Sequence, residues 1–206
     1  QLRDGWRALF RSPFLVATTA LSIMSMFVLA GLQGLVLPVY FTLVDQPGLL
    51  GFVLSALALG MLVGGGAYAF AGTRGPRRAW FVIGMIGTTI GIGLISLLTS
   101  VWVVFAGAFV LGAASGLFGS LMGVLMIERI PEQLRGRIMG TQNALTTAAP
   151  SVGTMLAAVL TEYASANAAT LVLLGAWGCA FVYGLAARPL RTLEPQSASV
   201  NAGGVR

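Results

Sequence analysis

Long apolar runs, interrupted by short arginine-bearing clusters, set the pattern of this chain. No charge lies between Arg11 and Asp45, nor from Gln46 to Thr73. A third uncharged stretch, Ala79 to Ile127, is long enough for two membrane crossings, and Thr99-Ser100 near its midpoint supplies a polar place to reverse. Two more runs cover Ile138 to Thr161 and Tyr163 to Ala187. A hydrocarbon core about 30 Å thick needs about 20 helical residues to cross it. The pattern therefore predicts an all-α membrane protein with helices at 14–42, 49–72, 79–98, 101–127, 138–161 and 168–187. Transmembrane strands would read as about ten residues of alternating polarity, whereas runs such as 54–63 are apolar all round.

Charge fixes the expected orientation. Arg3, Arg7 and Arg11 precede the first span; Arg74, Arg77 and Arg78 fall between the second and third. Arg129, Arg135 and Arg137 fall between the fourth and fifth, and Arg188, Arg191 and Arg206 follow the sixth. With six spans, all these arginines share one side, and the opposite loops carry only Asp45 and Glu162. The positive-inside rule makes the arginine side cytoplasmic, so both termini of a multi-pass cell-membrane protein are expected there. Residues 1–13, with Trp6 among alternating apolar and basic positions, read as an interfacial helix. The Ser-, Ala-, Gly- and Asn-rich residues 188–206 read as a disordered tail.

Composition narrows the chemistry. The chain is 57% apolar and 9% charged, with a mean hydropathy of +0.89, against about 25% charged in a soluble domain; its main surroundings are membrane lipids. The net charge of +6 comes from clustered arginines rather than a basic stripe interleaved with aromatics, so nucleic acid is not a partner. Without His there is no Ser-His nucleophile and no histidine metal or haem site. Without Lys there is no Walker A loop and no Schiff base. Cys179 stands alone in an apolar run, excluding a disulfide framework or cysteine metal cluster within the chain. No carboxylate pair lies inside a span, so an enzyme is not expected, and neither a cofactor nor a metal.

The 28 glycines would each cost about 1 kcal/mol in a soluble helix, but in lipid small residues let helix backbones approach. Gly60/Gly64, Gly87/Gly91, Gly112/Gly116 and Gly119/Gly123 are all spaced by four. They predict close helix packing, or helices that slide past one another.

The segment from Glu128 to Gly140 carries the most information. Glu128 ends span four, where the helix dipole disfavours an anion, and Arg135 and Arg137 open span five, where it disfavours a cation. Both placements call for partners, and an ion-pair network there could act as a cytoplasmic gate; the alternative is plain positive-inside charge in water. The spacing E-x-x-P-x-x-x-R-G, with Gly140 four residues on, resembles the loop between helices 10 and 11 of major facilitator superfamily transporters. Leu2-Arg3-Asp4-Gly5-Trp6-Arg7 with Arg11-Ser12-Pro13 resembles the link into helix 7 of that family's drug- and siderophore-exporting branch. Pro38 and the glycine-rich second span ending near Arg74-Gly75-Pro76-Arg77-Arg78 fit the same register, although Gly72 stands where the family's loop signature has Asp.

The resemblance covers about residues 1–190 and implies a half-transporter: helices 7–12 of a twelve-helix protein, partnered by an N-terminal six-helix half. The absence of an initiator Met agrees with a segment of something longer. Spans one, two, four and five would face the central cavity. Span five carries Asn143, Thr147, Pro150 and Thr154 on one face, and span one Thr18, Ser22, Ser25, Gln33 and Tyr40. Intramembrane polar groups turn from lipid, so these stripes face a pathway or pack between helices. Gln33, Tyr40, Phe118, Asn143 and Thr147 are the pathway candidates. Arg74, Arg77, Arg78, Glu128, Arg129, Arg135 and Arg137 are the gate candidates. A pathway containing Met24, Met26, Tyr40 and Phe118 suits a small lipophilic substrate, and a coupling proton would titrate in the N-terminal half. The expected function is secondary active export by alternating access. The alternative is a self-contained six-helix protein with a structural or assembly role.

Overall fold

The computed structural model describes residues 12–72, 75–130, 132–163 and 166–187, excluding the side chains of residues 129, 132–135, 137, 166 and 167. The interfacial segment expected before Ser12, Arg74 and the tail from residue 188 lie outside the described residues. So do the side chains of Arg129, Arg135 and Arg137.

Six helices long and apolar enough to cross a membrane follow one another: α1 Pro13–Leu43, α2 Leu49–Ala71, α3 Arg77–Leu97, α4 Val101–Arg129, α5 Glu132–Tyr163 and α6 Ala166–Ala186. No strand occurs among the described residues. Each predicted span is present. The ends of α4 and α5 reach further than predicted, so Arg135 and Arg137 stand within α5 rather than in a loop. Charge ends a hydrocarbon crossing, but it does not end a helix that continues into the headgroup layer.

Local chemistry explains the boundaries. Pro13 opens α1 behind an extended Ser12 (φ −105°), where its missing N–H costs nothing. The reversal at Thr99-Ser100 is made by Leu98, left-handed at φ 45°, and an extended Ser100 that begins α4. Within α1, Leu32–Val36 forms a π-helical turn, with the Leu37 N–H reaching back five residues to the Leu32 carbonyl. Pro38 lies just beyond. A proline ring crowds the carbonyl four residues earlier and cannot bond to it, and a widened turn relieves both problems.

The helices divide into two groups, α2–α3–α4 and α1–α5–α6. In the first, α2 and α4 meet backbone to backbone. A Cβ on Gly64 would lie 1.8 Å from the Ala113 carbonyl oxygen, and one on Gly112 would lie 2.0 Å from that of Leu57. In the second, α5 meets α1 the same way, with Gly153 against the Phe27 carbonyl. The α1–α5 contact answers α4–α2, and α1–α6 answers α4–α3, the pattern an inverted-topology repeat of three helices generates. The groups join through α3 and α6, where Trp177 donates from Nε1 to Thr89 Oγ1 at 3.1 Å. Between α1 and α4 contact is thin. That seam is where space opens.

Candidate functional site

A chamber of about 240 Å³ occupies the α1–α4 seam. Helix α1 contributes Ser22, Ser25, Met26 and Leu29, and α2 contributes Met61. From α4 come Ser115, Phe118, Gly119, Met122, Gly123 and Met126, a face repeating every three or four residues; Met139 and Gln142 come from α5. Thr88, Leu111 and Trp177 close the seam behind Ser25 and Leu29, leaving no room for a water-sized group. By register, the chamber lies between mid-bundle and the arginine-bearing end.

The chamber leads into an open trough of about 1010 Å³ that shares Ser22, Met26, Met139 and Gln142 with it. Gly140, Asn143, Thr146, Thr147 and Pro150 of α5 line the rest of the trough. The Thr146 hydroxyl donates to the Gln142 and Asn143 carbonyls of its own helix, whereas Asn143 and Thr147 are exposed. None of the described residues lining chamber or trough is charged. Such a site binds through shape and dispersion, with a few hydroxyl and amide groups to orient a ligand.

Of the pathway candidates, Phe118 lines the chamber, and Asn143 and Thr147 line the trough. Gln33 sits half-buried in the π turn, and Tyr40 is buried edge-on to Phe41 at a ring distance of 5.2 Å. Neither borders these two spaces. Thr18 is fully buried and donates to the Phe14 and Leu15 carbonyls of its own helix. Thr154, expected on the Asn143 face, instead packs against α1, where its hydroxyl lies 3.1 Å from the position of a Gly34 Cβ. Met24 borders a separate apolar groove between α1 and α5. Met61, Met122, Met126 and Met139 escaped sequence reasoning. For Met122 and Met126 the signal was the Ser/Gly/Met face of α4, which reads as packing until its neighbours are known; Met61 of α2 and Met139 of α5 carried none.

At the arginine end, Glu128 pairs with Arg77 at the start of α3, both guanidinium nitrogens engaging the carboxylate. Glu128 sits at the C-terminal end of α4 and Arg77 at the N-terminal end of α3, so each offsets the other's unfavourable dipole placement. Arg77, on another helix, is thus one partner of Glu128, while the side chains of Arg135 and Arg137 lie outside the described residues. Tyr68 and Trp80 meet edge-on at 6.1 Å, joining α2 to the same corner. Arg78 is exposed.

The chain matches the Major Facilitator Superfamily over residues 15–204. It is 27% identical over 170 residues to "Multidrug efflux pump Tap" of Mycolicibacterium fortuitum, covering 82% of this chain and 42% of that protein. It is 32% identical over 142 residues to the pump of the same name from Mycobacterium tuberculosis, covering 69% of this chain and 34% of the relative. The Mycobacterium bovis BCG pump gives the same figures. The chain therefore spans less than half the length of these curated relatives. No solved structure matches. The family match over most of the chain and the six apolar helices lead to one assignment: the chain belongs to the major facilitator superfamily.

Proposed function

We propose that this chain forms the C-terminal half of a secondary transporter that exports small lipophilic compounds by alternating access. The observation that carries the proposal is the chamber and trough on one side of the bundle, whose described lining residues are all uncharged, in a chain whose relatives are named multidrug efflux pumps. A partner half is supported by α5, the least apolar of the six helices and the least buried within this chain. Its exposed Asn143 and Thr147 would be costly against lipid and belong against protein or water. The arginine end is cytoplasmic in this reading, in the cell membrane. Asn143, Thr147 and Phe118 contact cargo, with Gln33 and Tyr40 further along the pathway. Arg77, Arg78 and Glu128, with Arg74, Arg129, Arg135 and Arg137, form the cytoplasmic gate, and a coupling proton is carried by the partner half.

The test is efflux by the full-length protein in an efflux-deficient bacterium, followed as accumulation of the neutral fluorophore N-phenyl-1-naphthylamine. Export predicts lower accumulation than in cells lacking the protein; equal accumulation would reject the reading. Normal efflux by a membrane-inserted Arg135→Ala variant would remove Arg135 from the gate.

A further inference from the structure

Five of the eight methionines in the chain line one chamber of thirteen residues. Thirteen residues drawn at random from this sequence would contain fewer than one. Leucine fills apolar space as well as methionine does and is abundant here, yet Leu29 alone among the described lining residues is a leucine. What methionine adds is a polarisable sulfur that makes favourable contacts at ring edges, on a side chain flexible enough to follow different shapes.

Gly119 and Gly123 provide the second observation. Gly60/Gly64 and Gly112/Gly116, also spaced by four, sit against a neighbouring backbone that leaves no room for a Cβ. At Gly119 and Gly123 a Cβ would meet nothing within 4 Å, and both line the chamber. Packing within this bundle therefore does not explain them. They leave a bare strip of α4 backbone one turn long, against which a flat group fits.

We propose that the chamber is an aromatic-ring subsite, in which the methionine thioethers hold a planar, uncharged ring system against the strip at Gly119 and Gly123. The cargo's polar end lies in the adjoining trough beside Gln142 and Asn143. A volume of about 240 Å³ exceeds the roughly 150 Å³ that accommodates benzene in an apolar protein cavity, so the subsite takes two linked rings or one substituted ring. The assignment rests on the export reading for its physiological meaning, but ring preference is measured by binding alone.

The experiment uses the full-length protein in lipid nanodiscs, with N-phenyl-1-naphthylamine as the bound probe. Displacement by 4-phenylphenol is compared with displacement by its saturated counterpart 4-cyclohexylcyclohexanol, each corrected for partitioning into protein-free discs. The wild type is expected to prefer the aromatic competitor by about tenfold, the effect of two or three sulfur–ring contacts. Replacing Met26, Met61, Met122, Met126 and Met139 with Leu removes the preference, a swap that cores generally tolerate. Met155→Leu, exposed on α5 and outside the chamber, leaves it intact. Should the fivefold variant misfold, Gly119→Leu with Gly123→Leu decides: the chamber fills without a clash at either Cβ, and probe affinity falls at least tenfold. Failure of the wild type to bind the probe, unchanged ring preference in the fivefold variant, or unchanged probe affinity in the glycine variant each overturns the subsite. Ring-selective binding without efflux overturns the export reading alone.

Discussion

Arg77 donates one guanidinium N–H to Glu128 Oε2 and another to Oε1, the latter at 2.8 Å, tying the first turn of α3 to the last turn of α4. Glu128 is 41% and Arg77 19% exposed. Water therefore screens the pair, and it contributes about 1 kcal/mol at most. Arg77→Gln or Glu128→Gln should each lower the melting temperature in detergent by a few degrees. The double exchange Arg77→Glu with Glu128→Arg should recover the loss and gain the dipole term as well, which turns favourable at both ends. An exchanged protein no more stable than the single variants would deny the pair a structural role.

Glycine positions should divide sharply. Gly64→Ala pushes a methyl group into the Ala113 carbonyl and should cost about 1–3 kcal/mol, visible as lost monodisperse protein in size-exclusion chromatography. Gly66→Ala, where a Cβ meets nothing within 4 Å, should elute like the wild type. Equal yields from the two variants would contradict the α2–α4 packing.

The hydrogen bond from Trp177 to Thr89 crosses between the helix triplets. A double-mutant cycle with Trp177→Phe and Thr89→Val should return a coupling of about 0.6 kcal/mol, typical of interhelical hydrogen bonds in lipid. The Thr89 hydroxyl also donates to the Met85 carbonyl at 2.9 Å, so Thr89→Val breaks a local bond too, and the cycle isolates the shared term. A coupling near zero would mean that the indole acts only by filling space.

Pro38 accounts for the wide turn in α1. In Pro38→Ala the restored N–H at residue 38 can bond to the Gly34 carbonyl, so regular α-helix should replace the π turn. Thermal stability should hold or rise, while efflux by the full-length protein should fall, because everything beyond residue 36 rotates relative to α5. Reduced stability with unchanged efflux would contradict this account.

Orientation is tested by labelling. In a Cys179→Ser background, Asp45→Cys should react with an impermeant maleimide added to intact cells, and Arg78→Cys should react only after permeabilisation. The reverse pattern would place the arginine end outside.

The number of helices and most of their limits, the α4 and α5 ends near the arginines excepted, were legible because hydrocarbon thickness and guanidinium placement act on each segment separately. The reversal at Thr99-Ser100 could be read for the same reason. What the sequence left open depends on which faces meet. Thr154 shares its helical face with Asn143 in the linear pattern, yet α5 is turned so that one lies against α1 and the other lines the trough. Gly119 and Gly123 share the spacing of Gly60 and Gly64, but only contact with a second backbone makes that spacing a packing motif. Glu128 clearly required a cation, but that Arg77 of α3 supplies one depends on three-dimensional neighbourhood.

The meshing of Gly64 with Ala113 and of Gly112 with Leu57 also bears on how this bundle could change shape. Two helices interlocked at carbonyl oxygens behave like a ratchet with engaged teeth, since axial slip in either direction drives one main chain into the other. Deformation is thereby diverted to the α1–α4 boundary, where compliant thioether side chains, rather than rigid backbone, absorb the displacement.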